Sequence, residues 1–380
     1  MRLFGIILIL VVVALLIVCD AMGQTKKTNM AFKFYGTPAT ASAVVQRGTG
    51  TITSTDDSVM VNVATAFDTT KTWVVVQART DSSKMEDMLY TVDIVDTNTF
   101  IVKRGDDTGG NFEFTYSVIS DPGLTVSRYR GTILDAQDTL AVAISSVTTG
   151  ITWVYPSYRM NVDAAWAYEY SISHELESAT SIKLRKGAAL SDISYVLQVV
   201  SYDSCTVQRG SVSNVGTAVT KDIAVSAVDS AKAFPMISLH SIAAGGSAMN
   251  DWAWYATWHN TTGSVDTMRL VRFDNYSYFK VFYEIVQFTD GSIVKPVHFT
   301  STADQVDVTT AAVDTAYASL LGSGPLSRYA ALDNGTTNRT YGMWTYRFNG
   351  ATTSVRMQRY GTSAITSKGK AYVIQWGGYE

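Results

Sequence analysis

The stretch DWAWYATWH, Asp251 to His259, sets three tryptophans within nine residues. Flat apolar rings in a row serve two chemistries: a platform on which a sugar ring stacks, or the inner face of a sandwich core. Strand alternation puts Trp252, Trp254 and Trp258 on one face and Tyr255 and His259 on the other. Similar stripes occur around Trp166, Tyr168 and Tyr170, and around Trp344, Tyr346 and Phe348. A stripe that recurs at one station of several units is core. The residues left over for a ligand are Trp252, at the start of the strand, and Tyr255 and His259.

Other reactive side chains are sparse. After the leader there are four histidines, His174, His240, His259 and His298, and none stands at metal-ligand spacing to another or to Cys205, so no metal site is expected. Neither a Gly-x-Ser-x-Gly elbow nor a phosphate-cradling glycine loop is present. The acid pairs Asp56-Asp57 and Glu175/Glu177 serve a glycosidase only where two carboxyls face each other across a cleft, and turn or solvent-face roles are the plainer expectation. No enzyme and no cofactor are therefore expected. Arg104-Gly105-Asp106 matches an adhesion tripeptide, and Asp106, Asp107 and Asn111 offer hard oxygens for calcium. The spacing lacks the acidic twelfth-position ligand of a hand-type loop, and a solvated hairpin turn accounts for all of them. Asn260, Asn275, Asn334 and Asn338 each begin an Asn-x-Ser/Thr triplet, a glycosylation acceptor in a eukaryotic host.

The elements that position these groups are strands. Thr, Ser, Val, Ala and Tyr alternate in short runs between Gly, Asp, Asn and Ser, which is the period of half-buried β-structure. Residues 1–23 have the layout of a secretory signal peptide, with Arg2 ahead of an apolar run from Phe4 to Val18. An uncleaved anchor is the alternative. Beyond it no apolar run is long enough to span a membrane, so a secreted or surface location is expected. Only Cys205 remains after cleavage, which leaves no intrachain disulfide. A formal net charge of -3 with interspersed signs disfavours nucleic acid.

Four ordered blocks repeat. The first is basic-Gly: VVQRGT, SRYRGT and TVQRGS, with a degenerate VKPVHFT. The second is an Asp/Thr turn before an aromatic: TAFDTTKTW, SVTTGITW, SAVDSAKAF, AAVDTAYA. The third is basic and alternating, with Arg104, Arg185, Arg272 and Arg359 in register. The fourth closes on Tyr116, Tyr195, Tyr283 and Tyr372. The expected fold is all-β: four tandem small antiparallel β-sandwiches, at 42–122, 123–203, 204–290 and 291–380, after an arm at 24–41. Joins of a few residues imply contact between neighbours, as a rod or a compact array. In the arm, Met30, Phe32 and Phe34 share one strand face; they either pack on their own chain or add a strand to a neighbouring subunit and build a polymer.

The block order resembles tandem β repeats of phage and environmental microbial surface proteins, and the layout is similar to that of H-type lectin domains, six-stranded sandwiches that bind sugars as oligomers. That resemblance implies a non-enzymatic role in adhesion or in glycan or receptor binding, with a homo-oligomer as a further expectation. The alternative is a structural subunit of an extracellular filament or layer, and a glycan-active hydrolase is the lesser one.

Overall fold

Runs rich in β-branched and aromatic residues, broken by Asp-, Gly- and Ser-containing turns, dictate strands. The computed structural model describes residues 43–80, 89–105, 110–160, 172–187, 192–213, 219–241, 254–259, 264–272, 279–301, 303–322, 345–349, 354–359 and 367–377. Among them the regular elements are 24 strands and two short 3-10 turns, Thr149–Ile151 and Thr315–Tyr317. No helix among the described residues is long and apolar enough to cross a membrane.

The strands fall into four sets of six, called modules below. The first holds β1 (Val44–Ile52), β2 (Ser58–Asn62), β3 (Thr72–Thr80), β4 (Tyr90–Ile94), β5 (Thr99–Arg104) and β6 (Phe112–Ser120). The second holds β7 (Leu124–Ile133), β8 (Thr139–Ala143), β9 (Thr152–Met160), β10 (Ile172–Ser178), β11 (Ser181–Lys186) and β12 (Ile193–Tyr202). The third holds β13 (Cys205–Val212), β14 (Thr220–Asp229), β15 (Ala233–Ser241), β16 (Trp254–Trp258), β17 (Ser264–Arg272) and β18 (Phe279–Phe288). The fourth holds β19 (Ile293–Ser301), β20 (Gln305–Thr309), β21 (Ala318–Gly322), β22 (Thr345–Phe348), β23 (Ser354–Gln358) and β24 (Ser367–Gln375). In every module the first, sixth and third strands form one antiparallel sheet, as in β1-β6-β3, and the second, fifth and fourth form another, as in β14-β17-β16. Between the first two modules, Tyr90 of β4 pairs with Tyr158 of β9 and fuses two sheets into one of six strands.

The two kinds of sheet bury different faces. Strands β2 and β20 alternate between half-buried and exposed, with one face turned to the core of their own module. Strands β3, β9 and β21 are buried almost throughout. Their second face lies against other modules. There Trp73, Trp153, Phe234, Phe288 and Trp376 gather in a single cluster drawn from all four modules, with Cys205 among them. The rings meet edge to face: Trp73 and Trp153 at 5.5 Å, Trp73 and Trp376 at 6.1 Å, Phe288 and Trp376 at 5.4 Å. Such pairs add about 0.5–1.5 kcal/mol each beyond area burial. Trp73, Trp153 and Phe234 hold the same register, opposite Ile119, Val200 and Val286; in the fourth module that place falls to Ser319, opposite Ile374. Trp376 supplies the missing ring and donates its Nε1–H to Ser319 Oγ at 3.1 Å.

The turns ahead of these aromatics are built as their Asp residues suggest. Asp68, Asp229 and Asp314 accept from the backbone N–H two residues on, of Thr70, Ala231 and Ala316.

Each module bonds to the next, and the fourth bonds to the first, so the described parts of the four modules close into a ring. The array is thus compact, not a rod. Gln198 of the second module brackets Val74 of the first, accepting from its N–H at 3.0 Å and donating to its carbonyl at 2.7 Å. At the same station of the third module Glu284 accepts from Val154 N–H at 2.9 Å. In the fourth module the equivalent backbone to be reached is Pro235, which has no N–H, and Tyr372 instead donates to Ala256 O at 3.1 Å. Gln77 closes the ring on Leu320 O at 2.9 Å.

Three sequence registers are corrected. In the fourth block the counterparts of Tyr116 and Tyr283 are Leu197 and Ala371, not Tyr195 and Tyr372. In the first block the second-module counterpart of Arg47 and Arg209 is Arg128, not Arg130: Arg47 faces Ser117, Arg209 faces Glu284 and Arg128 faces Gln198 across their sheets. All three reach carbonyls at the start of the preceding module's third strand or the turn before it, at Ala318, Thr149, and Thr69 with Thr72. In the third block the counterpart of Arg104 and Arg359 is Lys186, not Arg185. Their backbone N–H groups bond alike to Asp57, Asp304 and Asp138 carbonyls, and all three are buried.

Candidate functional site

The first-block Arg-Gly and the closing Tyr meet at the seams between modules. At the seam of the second and third modules a cavity of about 200 Å³ is lined by His174 and Glu175 of β10 and by Arg209, Gly210, Tyr283 and Glu284 of β13 and β18. At the seam of the fourth and first modules a cavity of about 160 Å³ is lined by Tyr346 and Arg347 of β22 and by Arg47, Gly48, Thr115 and Tyr116 of β1 and β6. The two are the same place in the fold. Arg47 corresponds to Arg209, Gly48 to Gly210 and Tyr116 to Tyr283, since each Gly faces its Tyr across the sheet. The glycine is required at both: a Cβ would run into the ring and hydroxyl of Tyr116 or Tyr283, which lie over the bare backbone. Both volumes fall below the roughly 300–1,000 Å³ of drug-sized pockets, which suits one ring or one short group.

The electrostatics of the two clefts differ. At the second-third seam Arg209 donates to Glu284 Oε1 from Nε at 2.7 Å, while Glu284 Oε2 takes Val154 N–H. Burial pushes the Glu284 carboxyl up, and the Arg209 charge pulls it back. Glu175 accepts from Arg185 at 2.7 Å. Burial, and then Arg209, drive the His174 imidazole down to about 3, so the ring is neutral. Its Nδ1 and the Nη2 of Arg209 are buried without a partner among the described residues. Ser238 ties the seam, accepting from His174 N–H and donating to His174 O, both at 3.2 Å. At the fourth-first seam no acidic residue lines the cleft among the described residues, and there the buried hydroxyls of Tyr346 and Thr115 are the ones without partners.

The structure separates the residues singled out in the tryptophan-rich stretch. Trp258 is buried with Ala256, Met268 and Leu270 in the core of the third module. Tyr255 and Thr257 lie on the opposite face, where it meets the fourth module. Tyr255 is half-buried beside Tyr372, and Thr257 accepts from the buried Lys370. That face emerges to solvent at His259, whose Nδ1 lies 3.0 Å from Asp222 Oδ2. Arg269 holds Asp222 in a bidentate pair at 2.7 and 2.9 Å and keeps its carboxyl down at about 2. The fourth module repeats this group as Asp307, Arg356 and Asn349. Tyr255 thus belongs to a seam, and His259 stands beside the surface ion pair of Asp222 and Arg269. Trp252 lies outside the described residues, as do Met30, Phe32 and Phe34, Asp106 and Asp107, and the four Asn-x-Ser/Thr asparagines.

Arg104, the first residue of the adhesion-like tripeptide, is fully buried and donates to the carbonyls of Asp56, Thr53 and Gly110. It holds a loop and is not displayed. Of the acid pairs, Glu175 and Glu177 bond to Arg185 and Lys183, and Asp56 accepts from Thr53. Cys205 is buried, its thiol pushed up to about 12 by desolvation.

No protein-family model matches the chain, and no curated protein matches it. Among solved structures the chain is similar to a fructofuranosidase variant from Schwanniomyces occidentalis complexed with fructosylnystose, at 9% identity and a TM-score of 0.17. That match covers 84% of this chain and 59% of that one. At such a score the likeness carries no argument about fold or activity.

Proposed function

We propose that the protein is a secreted or surface-displayed, non-enzymatic binding protein whose seam clefts take a carbohydrate or a small receptor group. The observation that carries this reading is the recurrence of one cleft at two seams, each with an Arg, a Gly and a Tyr from the same stations and a fourth-strand segment from the neighbouring module. Each cleft offers an aromatic ring beside hydrogen-bonding groups, the combination that recognises hydroxylated rings. Two clefts on one rigid ring gain avidity on a repetitive surface through effective concentration. Hydrolysis is disfavoured because both oxygens of Glu284, the buried carboxyl of the larger cleft, are already engaged, by Arg209 and by Val154 N–H.

A glycan array tests it, probed with the purified protein and with a Gly48→Ala/Gly210→Ala variant. Binding by the parent and its loss in a variant that still unfolds cooperatively is the expected result. Silence of the parent across a broad array refutes the reading. The second reading, a subunit of an extracellular filament or layer, draws on β2, the edge of the six-stranded sheet, which exposes Met60. Regular polymers in electron micrographs of the purified protein would favour it.

A further inference from the structure

We propose that the cleft between the fourth and first modules binds a compact anionic group, the carboxylate or sulfate of an acidic sugar, while its counterpart between the second and third takes a neutral one. This rests on the reading of the clefts as ligand sites and divides them by charge. Corresponding positions have exchanged sign. Glu175 on β10 corresponds to Arg347 on β22, and Glu284 on β18 to Ser117 on β6, so the smaller cleft keeps its first-block arginine, gains a second and has no carboxylate in its lining among the described residues.

Each arginine lies within electrostatic reach of one acid, Asp314 for Arg47 and Asp307 for Arg347, but no hydrogen bond joins either pair among the described residues. Arg47 donates to Ala318 O, a neutral carbonyl, and its guanidinium sits 4.9 Å from the centre of the Phe348 ring. Arg347 is exposed, and the carboxylate near it, Asp307, is already held by Arg356 at 2.8 Å through both oxygens and by Asn349 at 3.1 Å. The second, independent observation is at the cleft wall. Tyr346, 3% exposed, and Thr115, 7% exposed, both line the cavity, and both hydroxyls are buried without a partner among the described residues. A buried hydroxyl left unmatched is costly, and one that faces a cavity is satisfied by whatever enters. Two O–H donors and two guanidinium groups among the residues that line one cleft are a donor set matched to oxyanion lone pairs. Water alone would satisfy the hydroxyls but give neither guanidinium a hydrogen-bonded carboxylate.

Calorimetric titration of the purified full chain with D-glucuronate, D-glucose and inorganic sulfate tests the assignment, in the parent and in Tyr346→Phe, Thr115→Val and Arg347→Gln. The first two changes delete a single hydroxyl each and leave the packing volume in place; thermal unfolding verifies that each variant folds. Glucuronate is expected to bind, to weaken as salt rises, and to lose about fivefold or more in affinity with each deleted hydroxyl. Sulfate that binds and is lost in Arg347→Gln supports the site and assigns recognition to the charge rather than to the ring. Glucuronate affinity unchanged in all three variants overturns the proposal. If glucose nevertheless binds and that binding is lost in Gly210→Ala, the reading of the clefts survives and only their division by charge falls. If no probe binds the parent, both fall.

Discussion

Lys370 is fully buried at the seam of the third and fourth modules, where it donates to Thr257 and lies 5.1 Å from the centre of the Tyr372 ring. Desolvation brings its ammonium down to about 7. The sign follows from linkage: a lysine whose folded pKa is lowered costs most below that pKa, where both states are protonated, and the cost fades as pH rises toward the unfolded value. From an ordinary value of 10.5, and at about 1.4 kcal/mol per pH unit, the cost is about 5 kcal/mol at pH 6 and about 2 kcal/mol at pH 9. Lys370→Met keeps the length of the side chain and removes the charge, at the loss of one hydrogen bond of about 1 kcal/mol. The variant should therefore be more stable than the parent by about 4 kcal/mol at pH 6 and by about 1 kcal/mol at pH 9. Urea unfolding followed by tryptophan fluorescence at the two pH values measures the difference. His298, lowered to about 4, and Cys205, raised to about 12, titrate in the folded state outside this window. A parent and variant that differ by the same amount at both pH values would refute the reasoning, because the amine would then be charged and paired in the fold.

Two further substitutions probe the ring. Gln198→Leu leaves both the N–H and the carbonyl of Val74 buried without the partner they share, and should destabilise by about 2–4 kcal/mol in urea titration. Trp73→Ala removes a ring that touches Trp153, Tyr155 and Trp376, and should cost about 3–5 kcal/mol while loosening all four modules together, read as a loss of near-ultraviolet circular dichroism.

The all-β class, the order of the blocks and the Asp turns were legible because they are local: alternation and side-chain-to-backbone bonds act within a few residues. The ring was written in the sequence too, though less openly. WVVV in β3, and the apolar residues on both sides of Gln198 in β12, stand where a sandwich with one wet face would alternate, and a strand buried on both sides must have a neighbour on each. Residue spelling alone misled the register, because SRYRG offers two arginines and only the cross-strand pairing selects Arg128. The clefts could not be seen at all. Arg47 and Tyr346 stand in different modules, at opposite ends of the described chain, and no local pattern says that they share a wall.

That separation also bears on how the molecule is made. The contacts that close the ring, Arg47 to Ala318, Gln77 to Leu320 and Arg79 to Arg359, join residues 271, 243 and 280 positions apart. Contacts so distant along the chain are the slowest to form. Tandem units of similar sequence are prone to docking on the wrong neighbour. Here each seam has its own polar lock: an amide bracket, a carboxylate on a backbone N–H, a buried amine with a tyrosine, and a glutamine with two arginines. A misplaced module would meet the wrong lock, so the differences between the seams act as assembly instructions. The fourth-first cleft is completed only when the fourth module has docked on the first, so the shape of its walls reports on that docking.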